Sequence, residues 1–149
     1  MFLLRPRTKS LIFVFVQFAA IAAIALSGPL LARHPLLLVI ELAGIGLGLW
    51  AILTMRPWNF NVTPDVKVEG VMVTRGPYAL IRHPMYASIF LVTGALVADA
   101  PSSLRIALLL ILVVDIVLKL SYEERLLAAH YPAYAQYMQR SKRLIPFVY

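Results

Sequence analysis

The sequence contains no cysteine and little charge of either sign. The absence of cysteine excludes a disulfide framework, a cysteine-ligated zinc site and a thiol nucleophile. Charged residues make up only 14% of the chain, and the 7 acidic residues are outnumbered by 14 lysines and arginines. Hydrophobic residues make up 61%, whereas soluble domains contain roughly 45–50%. This composition predicts an integral membrane protein, whose surface contacts lipid.

Sequence motifs for several common chemistries are missing as well. The chain has no phosphate-binding P-loop, no dinucleotide-binding glycine motif and no Ser-His-Asp order. His34 and His130 have no neighbouring residues of metal-ligand type, so we expect no metal site.

Four apolar runs predict an all-α fold, a polytopic membrane helical bundle with about four transmembrane helices. The runs cover about residues 11–32, 36–55, 85–98 and 104–120, and a helix of about 20 residues crosses the hydrocarbon layer. The third run is short and fits a tilted or partly buried helix. The fourth has no breaker until Pro132, so it should continue as a cytoplasmic helical extension. A cleaved signal peptide is the alternative for the first run, but its length favours a membrane helix.

The basic residues predict how this bundle is oriented. All 14 lysines and arginines except Arg33 and Arg105 fall on one predicted side of the membrane, which predicts cytoplasmic N- and C-termini. Because they flank apolar runs, they indicate membrane orientation and not nucleic-acid binding. We expect one membrane domain over residues 1–149, with a generic two-helix part at 1–56. A prokaryotic inner membrane is the simplest location, and the sequence does not define the oligomeric state.

A polar segment at 71–86 contains a Gly76-Pro77 turn and the run Arg82-His83-Pro84. Pro84 suits the first turn of a helix and disfavours helical geometry at His83. His83 should therefore lie at a helix N-terminus, where free backbone N–H groups can bind a polar ligand. The alternative is an interfacial anchor, with Tyr and Arg at the level of the lipid headgroups. The residue chemistry alone supports both interpretations.

A second polar feature lies on the fourth helix, where Asp115, Lys119 and Glu123 repeat every four residues and form one stripe. Ionisable residues inside a membrane are costly unless they face the bundle interior, a cavity or a partner. The alternative is that Lys119 extends along the helix and pairs with both carboxylates of the stripe.

Two features of the second helix have structural explanations. We expect Glu41, near the outer interface, to reach water or to pair with Arg33. The Gly44-x-x-x-Gly48 spacing predicts close helix packing.

The ordered motifs resemble those of the isoprenylcysteine carboxyl methyltransferase family, which belongs with the membrane phospholipid methyltransferases. The resemblance covers roughly residues 66–147. Its motifs are Thr74-Arg75-Gly76-Pro77-Tyr78, Arg82-His83-Pro84-Met85-Tyr86, Glu123-Glu124, Tyr134, Tyr137 and Arg143-Leu144-Ile145-Pro146. Membrane sterol reductases carry a similar RHPxY element and bind a nicotinamide cofactor, so a reductase is an alternative. A non-catalytic small membrane protein is the third.

The resemblance implies a methyltransferase that binds S-adenosyl-L-methionine near the cytoplasmic ends of the last helices and acts on a lipophilic acceptor. The cofactor-binding residues that it implies are Val71, Met72, Val73, Tyr78, His83, Pro84, Met85, Tyr86 and Glu123. We predict catalytic roles for Arg82 and Glu124, and a substrate-binding role for Lys119, which stands where the family has an arginine.

The acceptor stays open between a phospholipid amine, a prenylated thiol-acid, a fatty acid and a small lipophilic metabolite. We expect Arg82 or Lys119 to orient an anionic acceptor. An amine acceptor needs a base instead, and the candidates are Glu123, Glu124 and His83.

Overall fold

A computed structural model describes residues 6–56, 59, 61–65 and 70–149. In this part of the chain there are five α-helices, as the all-α prediction requires. They are α1 (Pro6–Leu26), α2 (Pro35–Met55), α3 (Pro84–Asp99), α4 (Ser103–His130) and α5 (Tyr134–Arg140), with a 3-10 turn at Gly76–Ala79. Arg5 and Lys67, two of the basic residues that predict the orientation, lie outside the described residues.

Two helices are long and apolar enough to cross a membrane, over Thr8–Leu26 and Pro35–Met55. Many of their large apolar side chains are exposed, Phe15 and Leu53 each by 74%, as expected for surfaces that contact lipid. The predicted count of four crossings is not confirmed, because α3 has only 16 residues and α4 carries a buried polar stripe. The first apolar run was expected to be helical to about residue 32, but α1 ends at Leu26. Gly28 and Pro29 account for the early end, since neither favours helix continuation.

The two short interhelical loops lie at the same end of the bundle. The Asp99 carboxylate, at the end of α3, accepts hydrogen bonds from the backbone N–H groups of Arg33 (2.9 Å) and His34 (2.8 Å). Glu41 is buried and accepts from the backbone N–H of Ala32 (2.8 Å). The expectation that Glu41 reaches water or pairs with Arg33 is therefore wrong: its carboxylate satisfies a backbone donor of the α1–α2 loop. Residues 70–83, which precede α3, and residues 131–149, which follow α4, lie at the opposite end of the bundle.

Helices α2 and α3 pack through the predicted glycine face. A Cβ atom on Gly44 would lie 2.8 Å from Cβ of Leu91 and 3.0 Å from a methyl group of Val92. Glycine at this position lets the two backbones approach closely. Helix α1 instead packs on α4 and α3 through an apolar core whose buried members are Ala20, Ile24, Leu96, Val97, Leu112, Ile116 and Leu120.

We expect Gly44→Ala to destabilise the bundle by about 1–3 kcal/mol, the usual cost of an added group in a filled interface. The matched control is Gly46→Ala on the same helix, because a Cβ there meets no atom within 4 Å. Thermal unfolding in detergent measures the difference: Gly46→Ala should unfold at the wild-type temperature or slightly above it. Equal unfolding temperatures for the two variants would contradict the close contact.

Candidate functional site

A cleft opens at the end of the bundle opposite the two short loops, with about 890 Å³ of unfilled space that is partly open to solvent. All nine residues predicted to bind the cofactor line it, as does Arg82: Val71, Met72, Val73, Tyr78, Arg82, His83, Pro84, Met85, Tyr86 and Glu123. Glu124 and Lys119 are not among its lining residues. The sequence motifs therefore meet in space, although they come from the 70–83 segment, α3 and α4.

One wall of the cleft is held by backbone hydrogen bonds between residues 80–83 and residues 142–143, with a parallel bridge between Ile81 and Lys142. The backbone N–H groups of Arg82 and His83 donate to the carbonyl groups of Lys142 (2.7 Å) and Arg143 (3.0 Å). In return, Lys142 N–H donates to the carbonyl of Leu80 (3.1 Å). Upstream, Gly76 has a φ of 58°, which lies in the left-handed region that favours glycine. The C-terminal segment thus fixes the position of the Arg82-His83 pair.

Glu124 lies behind this wall and joins three cationic or polar side chains. Its Oε1 accepts from Nε of Arg82 (2.7 Å) and contacts Nε2 of His83 (3.2 Å), while Oε2 is 2.9 Å from Nη2 of Arg143. Arg82 also donates to the carbonyl groups of Ser141 and Met138. The side chains of Arg82 and Glu124 are less than a tenth exposed. The cluster ties α4 to the 80–83 segment and to the C-terminus.

The same contacts bear on the predicted catalytic role of Glu124. Burial by itself would raise the pKa of Glu124, but hydrogen bonds from His83 and Arg82 outweigh it and lower the pKa to about 2. A carboxylate that is so acidic and has both oxygens engaged is a weak proton acceptor. The geometry therefore favours a positioning role for Glu124. Arg82 is similarly committed, since its Nε and Nη1 already donate within the protein.

Glu123 has a different environment, although it is the next residue on α4. One of its carboxylate oxygens accepts from the hydroxyl of Tyr86 (2.7 Å), and Glu123 makes no ion pair within the part of the chain that the structure describes. Its carboxylate lines the cleft. The Tyr86 ring stacks on His83, with centroids 5.4 Å apart. The Glu123 side chain is thus held by Tyr86 at the cleft and has no ion-pair partner in the described residues.

The segment that carries Val71 is fixed by side chains on the opposite side of the cleft. Asn59 donates from its amide to the Val71 carbonyl (2.8 Å) and accepts from the Val71 N–H (2.9 Å). The hydroxyl of Tyr131 donates to the carbonyl of Gly70 (2.6 Å). These bonds fix the start of the 71–73 segment, whose three residues line the cleft.

Lys119 is buried beside the cleft and contacts helix α1. Its Nζ donates to the side-chain oxygen of Gln17 (2.8 Å) and to the carbonyl of Val62 (3.2 Å). It also lies 5.2 Å from the centre of the Tyr86 ring. The alternative in which Lys119 forms ion pairs with Asp115 and Glu123 is wrong, because neither carboxylate is within ion-pair distance in the described residues. A buried side-chain oxygen of Asp115 has no hydrogen-bond partner there either.

We expect Gln17→Leu to destabilise the protein by about 1–3 kcal/mol, because the buried ammonium of Lys119 loses a hydrogen-bond partner. The double variant Gln17→Leu/Lys119→Met removes both polar groups and should recover part of this loss. Unfolding in detergent, followed for both single variants and the double variant, measures the coupling. Strictly additive losses would contradict a direct Gln17–Lys119 interaction.

Comparison with known proteins identifies the family. The family profile described as phospholipid methyltransferase matches residues 32–134, which is more than half of the chain. The chain belongs to the phospholipid methyltransferase family. It is also 30% identical to the cobalt-zinc-cadmium resistance protein CzcN of Cupriavidus metallidurans, in an alignment that covers 75% of this chain and 50% of CzcN. The chain thus spans about half the length of this curated relative, and no solved structure matches it.

The matched region of this family member contains every residue that lines the cleft except Tyr137, but it does not contain all of the residues that support them. Gln17, which contacts Lys119, precedes residue 32, and Arg143, which contacts Glu124, follows residue 134. Residues outside the matched region, near both ends of the chain, therefore hold Lys119 and Glu124 in place.

Several residues that line the cleft in this phospholipid methyltransferase family member have no role predicted from the sequence. Among them are Asn59, Asp65, Tyr131, Tyr134 and Tyr137. Tyr134 and Tyr137 were part of the motif set, and their three-residue spacing on α5 was the available signal. Asn59 and Asp65 lie in a polar loop without a motif, so nothing in their sequence context indicated a position at the cleft.

Proposed function

We propose that this family member is an integral membrane S-adenosyl-L-methionine-dependent methyltransferase that acts on a lipophilic acceptor, similar to the isoprenylcysteine carboxyl methyltransferases. The observation that carries the proposal is that all nine predicted cofactor-binding residues line one cleft. Eight of them lie within residues 71–86, and the ninth, Glu123, comes from α4, so the fold brings this segment against a distant helix.

The chemistry of the cleft suits this cofactor, which is cationic at its sulfur and at its amino group. The Glu123 carboxylate can accept hydrogen bonds from an ammonium group, and the aromatic face of Tyr78 can attract a sulfonium. Two residues that line the cleft, Tyr78 and Tyr134, have buried hydroxyl oxygens without a hydrogen-bond partner within the described residues. A buried polar group without a partner is costly, so a polar ligand fits this arrangement.

The bound cofactor supplies a methyl group on a positively charged sulfur; the sulfur–carbon bond breaks as a bond to the acceptor forms. The residues of the chain hold the two reactants in line and exclude water. A carboxylate acceptor is already ionised and needs no base. An amine acceptor must lose a proton, and Glu123 is the better-placed base, because both oxygens of Glu124 are engaged by Arg82, His83 and Arg143.

The acceptor is proposed to enter from the lipid. The outward faces of α1 and α2 are apolar and exposed over most of their length, as a bilayer requires. With the basic residues on the cytoplasmic side, the cleft and both termini face the cytoplasm, and the simplest location is a prokaryotic inner membrane. Phospholipid amines are one acceptor class, and prenylated acids or fatty acids are others.

Calorimetry on detergent-purified protein tests the cofactor. We expect S-adenosylmethionine and S-adenosylhomocysteine to bind with one site per chain, and NADPH to give no heat. Binding of NADPH in place of the two adenosyl compounds would favour the reductase instead. Transfer of a labelled methyl group to a panel of a phosphatidylethanolamine, a fatty acid and a prenylated cysteine then identifies the acceptor.

A further inference from the structure

A second cavity lies beside the cleft, bounded by α2, α3, the 77–81 turn and the 144–146 segment. This groove has about 960 Å³ of unfilled space and is partly open. Every described residue that lines it has an apolar side chain, apart from the indole N–H of Trp50. The cleft, in contrast, is lined by charged residues such as Arg82 and Glu123. The groove therefore suits a hydrocarbon chain and not a polar ligand.

One segment of the chain separates the groove from the cleft. Residues 82–86 line the cleft, whereas the groove is lined by residues just before and after them: Pro77, Leu80, Ile81 and Ala87. Backbone hydrogen bonds from residues 82 and 83 to residues 142 and 143 hold this segment in place. A molecule in the groove thus packs against the back of the cleft wall.

The groove also lies away from the predicted acceptor site. Lys119, the residue predicted to bind the substrate, contacts Gln17 of α1. Among the described residues, none of α1 or α4 lines the groove. Its occupant is therefore distinct from the molecule that accepts the methyl group.

The position of the groove along α2 and α3 indicates that it opens into lipid. Leu47 is eight residues before the end of α2, and Leu91 is seven residues after the start of α3. At 1.5 Å per residue, the groove extends about 10–12 Å from the cleft end of these helices. Helix α2 is long and apolar enough to cross a membrane, and Leu49 and Leu53 beside the groove are exposed. The groove is thus continuous with a surface that contacts lipid.

Two exposed basic residues adjoin residues of the groove and indicate the charge of the headgroup. Arg75 is two residues before Pro77, and Lys142 donates its backbone N–H to the carbonyl of Leu80 (3.1 Å). Neither forms an ion pair with a described residue. Basic residues at a membrane surface attract anionic lipid headgroups, and tryptophans such as Trp50 are enriched at that level of the bilayer.

We propose that the groove binds one acyl chain of an anionic phospholipid, whose headgroup lies near Arg75 and Lys142. This lipid fills the space behind the cleft wall and is not the methyl acceptor. The proposal goes beyond the proposed function and does not depend on it, because it requires no particular ligand in the cleft.

Tryptophan fluorescence tests the site, because Trp50 lines the groove and the chain has only two tryptophans. Trp58→Phe protein, freed of lipid in detergent, is titrated with phosphatidylglycerol that carries bromine on its acyl chains, since bromine quenches an indole ring that it contacts. We expect the quenching to saturate at one lipid per chain. Adding Ala87→Phe should abolish the saturable part by filling the groove. The matched control is Ala43→Phe, the same change at an exposed position of α2 outside the groove.

The preference for an anionic headgroup is tested with Lys142→Gln. This change should weaken the binding of phosphatidylglycerol about fivefold, the value of one basic residue at a membrane surface. The binding of brominated phosphatidylcholine, which has no net charge, should not change. Arg125→Gln removes the same charge from an exposed position on α4 and should alter neither affinity.

Thermal unfolding in detergent gives a second readout that does not use fluorescence. Phosphatidylglycerol should raise the unfolding temperature of the wild type and of Ala43→Phe, but not that of Ala87→Phe. Quenching without saturation, or equal saturation in Ala87→Phe and Ala43→Phe, would overturn the site. Equal wild-type affinities for the two lipids would overturn the assignment of an anionic lipid. If Ala87→Phe does not fold, the comparison of Lys142→Gln with Arg125→Gln still carries the test.

Discussion

The Glu124→Gln variant is expected to lose about 3–5 kcal/mol of stability, the usual cost of removing one partner from a buried ion pair. Glu124 contacts Arg82, His83 and Arg143, so its replacement leaves buried guanidinium charge without a counterion. These contacts join α4 to the 80–83 segment and to the C-terminus, and their loss should open the cleft wall. Thermal unfolding in detergent at neutral pH measures the effect.

The effect of Glu124 on stability should also depend on pH. Its pKa is about 2 in the folded protein, against an ordinary value of 4.5, so the unfolded chain binds a proton more readily than the folded one. The stabilisation is complete above about pH 4.5 and is lost as the pH falls from there toward 2. Wild-type protein should therefore lose stability over this range, and the loss should be smaller in Glu124→Gln.

The neighbouring carboxylate supplies the control for this prediction. Glu123→Gln keeps a hydrogen-bond acceptor for Tyr86 and breaks no ion pair in the described residues, so its unfolding temperature should stay near that of the wild type. If Glu124→Gln unfolded no earlier than Glu123→Gln, the cluster would not be the contact that holds the wall.

The helices could largely be predicted from the sequence, because long apolar runs and proline positions determine them. Helix α2 was expected at about residues 36–55 and lies at Pro35–Met55, and the absence of a breaker before Pro132 predicted a single helix α4, which ends at His130. The end of α1 was misplaced because hydropathy continues past Leu26, while the backbone is interrupted at Gly28-Pro29. Hydropathy reports the environment of a segment, and it does not report where a helix ends.

The family motifs predicted part of the cleft lining, but they did not predict the separate contacts that the residues of the cleft make. Glu123 and Glu124 are adjacent in sequence and on the same helix, yet one lines the cleft and the other joins Arg82 to Arg143. The contact between Lys119 and Gln17 spans 102 positions, and no local pattern encodes it. Such pairings depend on which helix faces which, so the contacts of Glu124 and Lys119 could not be predicted without the three-dimensional structure.

The Glu123→Gln variant is expected to bind S-adenosylmethionine at least 30-fold more weakly than the wild type. Truncating one member of a buried hydrogen-bonded charge pair costs about 2–5 kcal/mol, and 1.4 kcal/mol corresponds to a factor of ten in affinity. Glutamine keeps the size of the side chain and its acceptor for Tyr86, so the change isolates the negative charge. Calorimetry with S-adenosylmethionine and S-adenosylhomocysteine measures the loss.

A second variant separates the charge of Glu123 from its placement. The Tyr86 hydroxyl donates to one Glu123 oxygen (2.7 Å), so Tyr86→Phe leaves the charge in the cleft but frees the side chain to move. We expect a loss of affinity of a few-fold, smaller than that in Glu123→Gln, because the charge stays in the cleft and only its placement is loosened; a net contribution of about 0.5–1 kcal/mol corresponds to about a two- to fivefold change. Full affinity in a folded Glu123→Gln variant would mean that the cofactor's ammonium group is held elsewhere. The carboxylate would then be free for the other role open to it, as the base that an amine acceptor needs.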